Sequence, residues 1–241
     1  MEIVFYSLLL IVAFFYASVG HGGASGYLAL MALFAFSPDT MRTTALTLNV
    51  FVSVMAFVQF YRKGYFKWSL FWPFALASIP AAFIGGTISV DEDLYKKILA
   101  VLLLFSIIRM VGFSWKPLSD PKSQNVLLSL VIGAVIGLFS GMIGIGGGII
   151  LSPVVLILRW ADVKQTAAIS ALFIFVNSLA GLAGVYQTGL EWDAAMGWML
   201  AVALVGGTLG SYFGAAKFNA LNLRRLLAFV LLIAAFKLFF T

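Results

Sequence analysis

Gly-His-Gly-Gly-Ala-Ser-Gly at residues 20–26 and Gly-Met-Ile-Gly-Ile-Gly-Gly-Gly at residues 141–148 interrupt the two longest apolar runs of this 241-residue chain. How these two clusters are read decides the fold. The runs are 3–36 and 126–158. As straight helices each would extend ~50 Å at about 1.5 Å per residue, too long for one crossing of a ~30 Å hydrocarbon layer and too short for two. Glycine inside a helix costs about 1 kcal/mol relative to alanine. A cluster of four therefore predicts two shorter helices meeting at an irregular turn.

Composition fixes the surroundings of these breaks. The chain is 63% hydrophobic and 10% charged, with mean hydropathy +1.08. A soluble domain carries about a quarter charged residues, so a soluble enzyme and a disordered tail are excluded. With no cysteine, a disulfide scaffold is excluded too. The apolar runs have helix length rather than barrel-strand length. The net charge of +6 sits between apolar runs, which points to an anionic leaflet and not to nucleic acid. Met1-Glu2-Ile3 lacks a basic leader region, so the first run is expected to stay in the protein.

The other runs, 43–61, 69–90, 94–112, 165–187, 194–215 and 223–240, each suit one crossing. Residues 114–125 (SWKPLSDPKSQN) form the one linker. If both broken runs return to the side they came from, one face collects Arg62, Lys63, Lys67, Arg109, Lys116, Lys122, Arg159, Lys164, Lys217, Arg224 and Arg225. The other keeps Arg42, Lys96, Lys97 and Lys237. Full crossings would erase that asymmetry, so the positive-inside rule selects hairpins, with both termini outside and the linker cytoplasmic.

The halves also resemble each other at an offset near 124 residues. Tyr61-x-x-Gly64-x-x-x-Trp68 parallels Tyr186-x-x-Gly189-x-x-Trp192, and Gly85-Gly86-Thr87 parallels Gly206-Gly207-Thr208. Each half, 1–113 and 126–241, is then a hairpin followed by three spans. An odd number of crossings inverts the second copy. The expected fold is all-α and polytopic: two inverted repeats, each a broken-helix hairpin plus three transmembrane helices, an arrangement typical of secondary transporters.

All nine acidic residues lie in loops or at span ends, which argues against a carboxylate proton relay or a hard-metal site. His21 is the one histidine, placed in the first break. Half-helices starting at the breaks point unpaired N–H groups, worth about half a positive charge, at the midplane. The expected anion contacts are Gly20, His21, Gly22, Gly23 and Ser25 from the first break and Gly144, Gly146, Gly147 and Gly148 from the second. Asn49, Ser170 and Asn177 join them from the spans, with Ser53, Gln59 and Ser178 as further cavity-facing candidates. The repeats Gly133-x-x-x-Gly137-x-x-x-Gly141 and Gly206-x-x-x-Gly210-x-x-x-Gly214 read as helix packing. Pro73, Pro80 and Pro153 read as kinks or helix starts, and Trp68, Trp160 and Trp192 as interface anchors.

With these features in view, the chain resembles the sulfite exporter TauE/SafE family over nearly its whole length. The most specific match is Gly141 to Gly148 followed by Pro153, then Ala168-Ile169-Ser170, then Tyr186-x-x-Gly189-x-x-Trp192-Asp193. The first half carries Gly20-His21-Gly22-Gly23-Ala24-Ser25-Gly26 without a following proline. The resemblance implies an inner-membrane carrier for small sulfur-containing anions such as sulfite or organosulfonates such as sulfoacetate. Its partners would be that anion and the bilayer, with no cofactor, metal or nucleic acid; a homodimer is one assembly left open. Two other readings are a passive anion channel and, from Gly23-Ala24-Ser25-Gly26, an intramembrane serine protease. The protease reading suffers because His21 lies in the same break as Ser25 and no other histidine exists.

Overall fold

The computed structural model describes residues 2–18, 23–112, 122–189, 194–214 and 220–240. Among them the structure is all α-helical: α1 Glu2–Ser18, α2 Ala24–Leu33, α3 Pro38–Arg62, α4 Trp68–Thr87, α5 Glu92–Gly112, α6 Val126–Ile143, α7 Gly148–Ile157, α8 Val163–Gln187, α9 Ala194–Gly214 and α10 Ala220–Phe240. Both long runs are broken where the glycines cluster. The helices α3, α4, α6 and α8 are long and apolar enough to cross a membrane. Large apolar side chains such as Leu76 (62% exposed) and Val131 (55%) point outward from α4 and α6, a surface that suits lipid tails and not water.

Helix starts come in two chemical kinds. Those of α3, α6 and α8 carry polar side-chain caps, while α4 starts at Lys67 without one. Ser37 accepts from the Thr40 amide at 3.4 Å ahead of Pro38 at N1. Asn125 accepts from Leu128 at 3.0 Å, and Asp162 from Lys164 and Gln165 at 2.8 and 2.9 Å. The helices that start inside the breaks, α2 and α7, have no side-chain cap.

Contacts fix which helix ends share a side. The ring of Phe5 near the start of α1 meets Phe34 and Phe36 beyond α2, with centroids 5.2 and 5.0 Å apart. The Lys122 amide before α6 donates to the Arg159 carbonyl beyond α7 at 2.8 Å. Each broken pair thus brings its two outer ends together. Lys164 at the start of α8 reaches the Tyr65 hydroxyl just past α3 at 3.1 Å, so α3 and α8 run antiparallel. Gln124 bonds the Leu70 carbonyl at 3.1 Å, placing the starts of α4 and α6 on that same side.

Glycine sets the closest approaches. A Cβ at Gly133, Gly137 or Gly141 of α6 would land on the carbonyls of Phe74, Ser78 and Ala82 of α4. At Gly206 and Gly210 of α9 it would meet Leu10 and Phe14 of α1. The register advances by four in step on both members of each pair, so α6 runs parallel to α4, and α9 to α1. Pro73 and Pro80 lie inside α4 as kink positions and Pro153 inside α7.

The second run divides as expected into two shorter helices, unequal in length: α6 has 18 residues, ~27 Å, and α7 has 10. One expectation is corrected, that for Trp160, and Gly141 proves to lie within α6 and not in the turn. Gly133, Gly137 and Gly141 stay helical because close contact with α4 offsets their conformational cost. Trp160 is not an interface anchor. It is 7% exposed and packs beneath the α7 end against Phe74, centroids 6.1 Å apart. Trp68, 64% exposed, matches an anchor's place, while Trp192 lies outside the described residues.

Two outcomes follow from this packing. Gly137→Ala should destabilise the detergent-solubilised protein by about 1–3 kcal/mol, read as a lowered Tm. Gly207→Ala, whose Cβ would meet nothing within 4 Å, should leave Tm unchanged or raised. The chain has no native cysteine, so single cysteines at Lys122, Arg159 and Lys63 should react with an impermeant thiol reagent from one side. Cysteines at Ser37 and Asp91 should react only from the other.

Candidate functional site

The second break is a short left-handed path. Gly144 closes α6 at φ 85°, and Gly146 and Gly147 follow at φ 74° each. Side chains other than glycine rarely adopt this region. The ends of the path differ in depth. Gly144 packs on the backbone of Arg42, whereas Gly146 sits against the Asn49 amide and Ile174. Arg42 and Asn49 are ~10 Å apart along the α3 axis. The break therefore drops toward the middle of α3 before α7 begins.

The carbonyls where α6 ends are answered, and the amides that follow are not. The Tyr95 hydroxyl donates to Ile143 O at 2.9 Å and Asn49 Nδ2 donates to Gly144 O at 3.4 Å. The N–H groups of Ile145, Gly146, Gly147, Gly148 and Ile149 find no acceptor among the described residues. The first accepted bonds of α7 come only at Ile150 and Leu151, both to Gly147 O, at 3.1 and 3.0 Å. A row of bare amides at a helix start favours negative charge.

The first break repeats the half that is described. Gly23 caps α2 at φ 74°, ψ −9°, and Gly147 caps α7 at φ 74°, ψ −18°. The two positions are separated by 147 − 23 = 124 residues. The amides of Ala24, Ser25 and Gly26 have no acceptor among the described residues. Tyr27 leans back over Gly23, 1% exposed, and its hydroxyl has no hydrogen-bond partner among them either. Helix side chains point toward the N-terminus, which aims this hydroxyl at the break. Ser25, fully buried, shares a hydrogen bond with Tyr16 on α1 at 2.9 Å. Ala24 and Tyr27 belong to the same contiguous apolar core as Ile145 and Ile149 of the second break.

The expected site residues therefore fall into two groups. Asn49, Gly144, Gly146, Gly147, Gly148 and Ser170 gather around the second break; Ser170 also pairs with the Ser152 hydroxyl at 2.9 Å. Gly23 and Ser25 belong to the first. Asn177 is fully buried two turns beyond Ser170, with Nδ2 on Phe173 O at 2.8 Å and Oδ1 unpartnered. Gly20, His21 and Gly22 lie outside the described residues. Gln59 is exposed and lines no interior path.

Sequence reasoning named part of a larger pattern, Asn49, Ser53, Asn177 and Ser178, and missed the rest. Arg42 Nε, the hydroxyls of Thr43, Thr44, Ser53, Ser140, Thr166 and Ser178, and the amide oxygens of Asn49 and Asn177 are all buried without a hydrogen-bond partner among the described residues. Apart from Ser140 on α6, all of them lie on α3 and α8. An unpaired buried polar group costs about 1–3 kcal/mol, so a file of them on α3 and α8 is a feature that packing alone does not explain. The signal was present in the paired Thr43-Thr44 and in the helix-start motif Ser37-Pro38-Asp39-Thr40, which puts Arg42 inside α3 and not in a loop.

The comparisons with known proteins agree with this architecture. The chain is 37% identical to a protein of Sinorhizobium fredii described as a probable membrane transporter, over 95% of this chain and 94% of that one. It is 25% identical to a probable membrane transporter of Methanocaldococcus jannaschii, over 76% of this chain and 73% of the relative. A third, from Haemophilus influenzae, is 29% identical over 65% and 62%. No solved structure matches the chain. The model of the sulfite exporter TauE/SafE family matches residues 5–238, and the chain belongs to that family of membrane transporters.

Proposed function

We propose that the protein carries a small sulfur-containing oxyanion, sulfite or an organosulfonate, across the inner membrane, binding it between the two glycine breaks and passing it along the α3–α8 seam. The observation that carries this reading is the coincidence of amides at Ile145–Ile149 and Ala24–Gly26 that have no acceptor among the described residues with a file of unpartnered buried polar atoms, of which Arg42 and Asn49 pack on the second break. Amides at helix starts supply positive potential without a mobile charge. Hydroxyls rotate to donate or accept as an anion and its remaining water move past.

The halves act as inverted repeats in this proposal. The starts of α1 and α6 at opposite sides of the molecule support it, as does the shared left-handed cap at Gly23 and Gly147. The basic residues Arg62, Lys63, Lys67, Lys122, Arg159 and Lys164 lie on the side where α6 starts. That side is the cytoplasmic one by the positive-inside rule, with both termini outside. Export is then the favoured direction. Moving one negative charge outward gains about 2.3 kcal/mol per 100 mV, and no coupling ion is needed. The described acidic residues Glu2, Asp39, Asp91, Glu92, Asp93 and Asp162 are all exposed, in keeping with that economy.

Proteoliposomes holding the purified chain should take up radiolabelled sulfite saturably and faster when the potential drives anions inward. Tyr27→Phe and Asn49→Ala should each raise KM about 10-fold, the loss of one hydrogen bond to a charged group. Uptake no faster than in empty vesicles sinks the reading. A non-saturating current through single molecules would replace the carrier with a pore.

A further inference from the structure

We propose that Arg42 selects the anion at the outer end of the path, its guanidinium taking the substrate's charge between α3 and the second break. The inference rests on the transport reading above and adds a specificity-determining residue to it. Arg42 is 3% exposed. Its Nη1 donates to the Ile88 carbonyl beyond α4 at 2.7 Å, and its Nε is buried without a partner among the described residues. It makes no ion pair with any of them, and Asp39, one turn earlier, is exposed.

A buried cation is costly unless a counter-charge meets it. The Ile88 carbonyl takes one Nη1 donor, while Nε is buried without a partner among the described residues. The nearest carboxylate, Asp39, acts on Arg42 from an exposed position without forming an ion pair, and the interior beside the guanidinium holds the polar file instead. Gly144 packs against the Arg42 backbone, and the unpartnered hydroxyls of Thr43 and Thr44 come next along α3. Asp39 stays in water and does not touch the guanidinium, so in this proposal the charge that meets it inside the protein is the passing anion. A planar fork suits two oxygens of one sulfur centre, where an ammonium would offer a point charge.

The competing role is a clip that ties α3 to the end of α4 through the Ile88 carbonyl. A glutamine or lysine at position 42 can donate to that carbonyl, and a clip does not discriminate among anions. Initial rates of radiolabelled sulfite uptake separate the two roles, measured for wild type, Arg42→Gln, Arg42→Lys and Lys97→Gln. Lys97 is exposed near the start of α5 on the same side, so its replacement controls for surface charge.

We expect Arg42→Gln to raise the sulfite KM about 10- to 100-fold with kcat changed far less. Arg42→Lys should keep uptake but lose much of the preference for sulfite over chloride in competition, and Lys97→Gln should match wild type. An unchanged KM in Arg42→Gln overturns the proposal and leaves the clip. Should Arg42→Gln fail to fold, an unchanged sulfite-over-chloride preference in Arg42→Lys overturns it equally. Failure of the wild type to take up sulfite would instead bring down the transport reading on which this one stands.

Discussion

In hydrocarbon a peptide group has no water to bond, so every amide and carbonyl must be paired or must face protein or a polar path. The two glycine breaks press hardest against this constraint, and the rest of the molecule is arranged around them. At the second break the constraint is met only in part. Tyr95 and Asn49 reach in from α5 and α3 to cover the carbonyls of Ile143 and Gly144. The following amides, from Ile145 to Ile149, have no acceptor among the described residues. Unpaired donors at the start of a helix give an irregular piece of backbone a fixed positive potential.

The closeness that makes this possible comes from glycine at helix crossings. Gly141 of α6, Gly86 of α4 and Gly181 of α8 meet backbone to backbone. Three helices therefore converge one turn from Gly144, and the break is held by rigid elements, not by a loop. The α1–α9 pair reaches the same intimacy with the glycines on the other partner, at Gly206 and Gly210. Backbone geometry is shared between the halves while the residues that achieve it have exchanged helices. Side chains diverge further. Pro38–Arg62 and Val163–Gln187 are equal in length, and aligning them puts Ser53 opposite Ser178, both buried and unpartnered, but Asn49 opposite Ile174 and Asn177 opposite Val52. A path lined this way is symmetric in its scaffold and asymmetric in its chemistry.

That distinction explains what the sequence made legible. Helix count, break positions and the left-handed turns follow from apolar run length and glycine clustering, which are properties of the backbone. Gly23 and Gly147 are readable because few other residues tolerate their φ. Arg42 was not readable as a buried group. A charged residue at the edge of an apolar run looks like a loop residue until the Ser37 cap and Pro38 show that α3 starts four residues earlier. Trp160 misled for the opposite reason: a tryptophan beside Arg159 resembles an interface anchor, and only the tuck of α7 against α4 buries it. Partner choice in three dimensions, such as Tyr95 with Ile143 across 48 positions, leaves no local pattern at all.

The proposed selectivity for anions rests on what the seam contains and on the order in which it would be met. Bare amides, hydroxyls and one guanidinium lie along α3, α7 and α8, and no described acidic residue is buried among them. A cation entering this seam would meet the positive ends of two helices with only amide and hydroxyl oxygens to replace its water, whereas an oxyanion exchanges water for fixed donors at little reorganisation. Dipoles alone would bind any small anion with similar strength, because half-charges at a helix start do not read shape. Discrimination requires a group with directional donors. Along α3 that group stands one side of the break and the amides of Gly146 to Gly148 stand ~10 Å deeper, so in the proposed carrier an anion would be read by a fork before it is held by backbone. Separating recognition from holding in this way would let the central site remain weak enough to release its cargo.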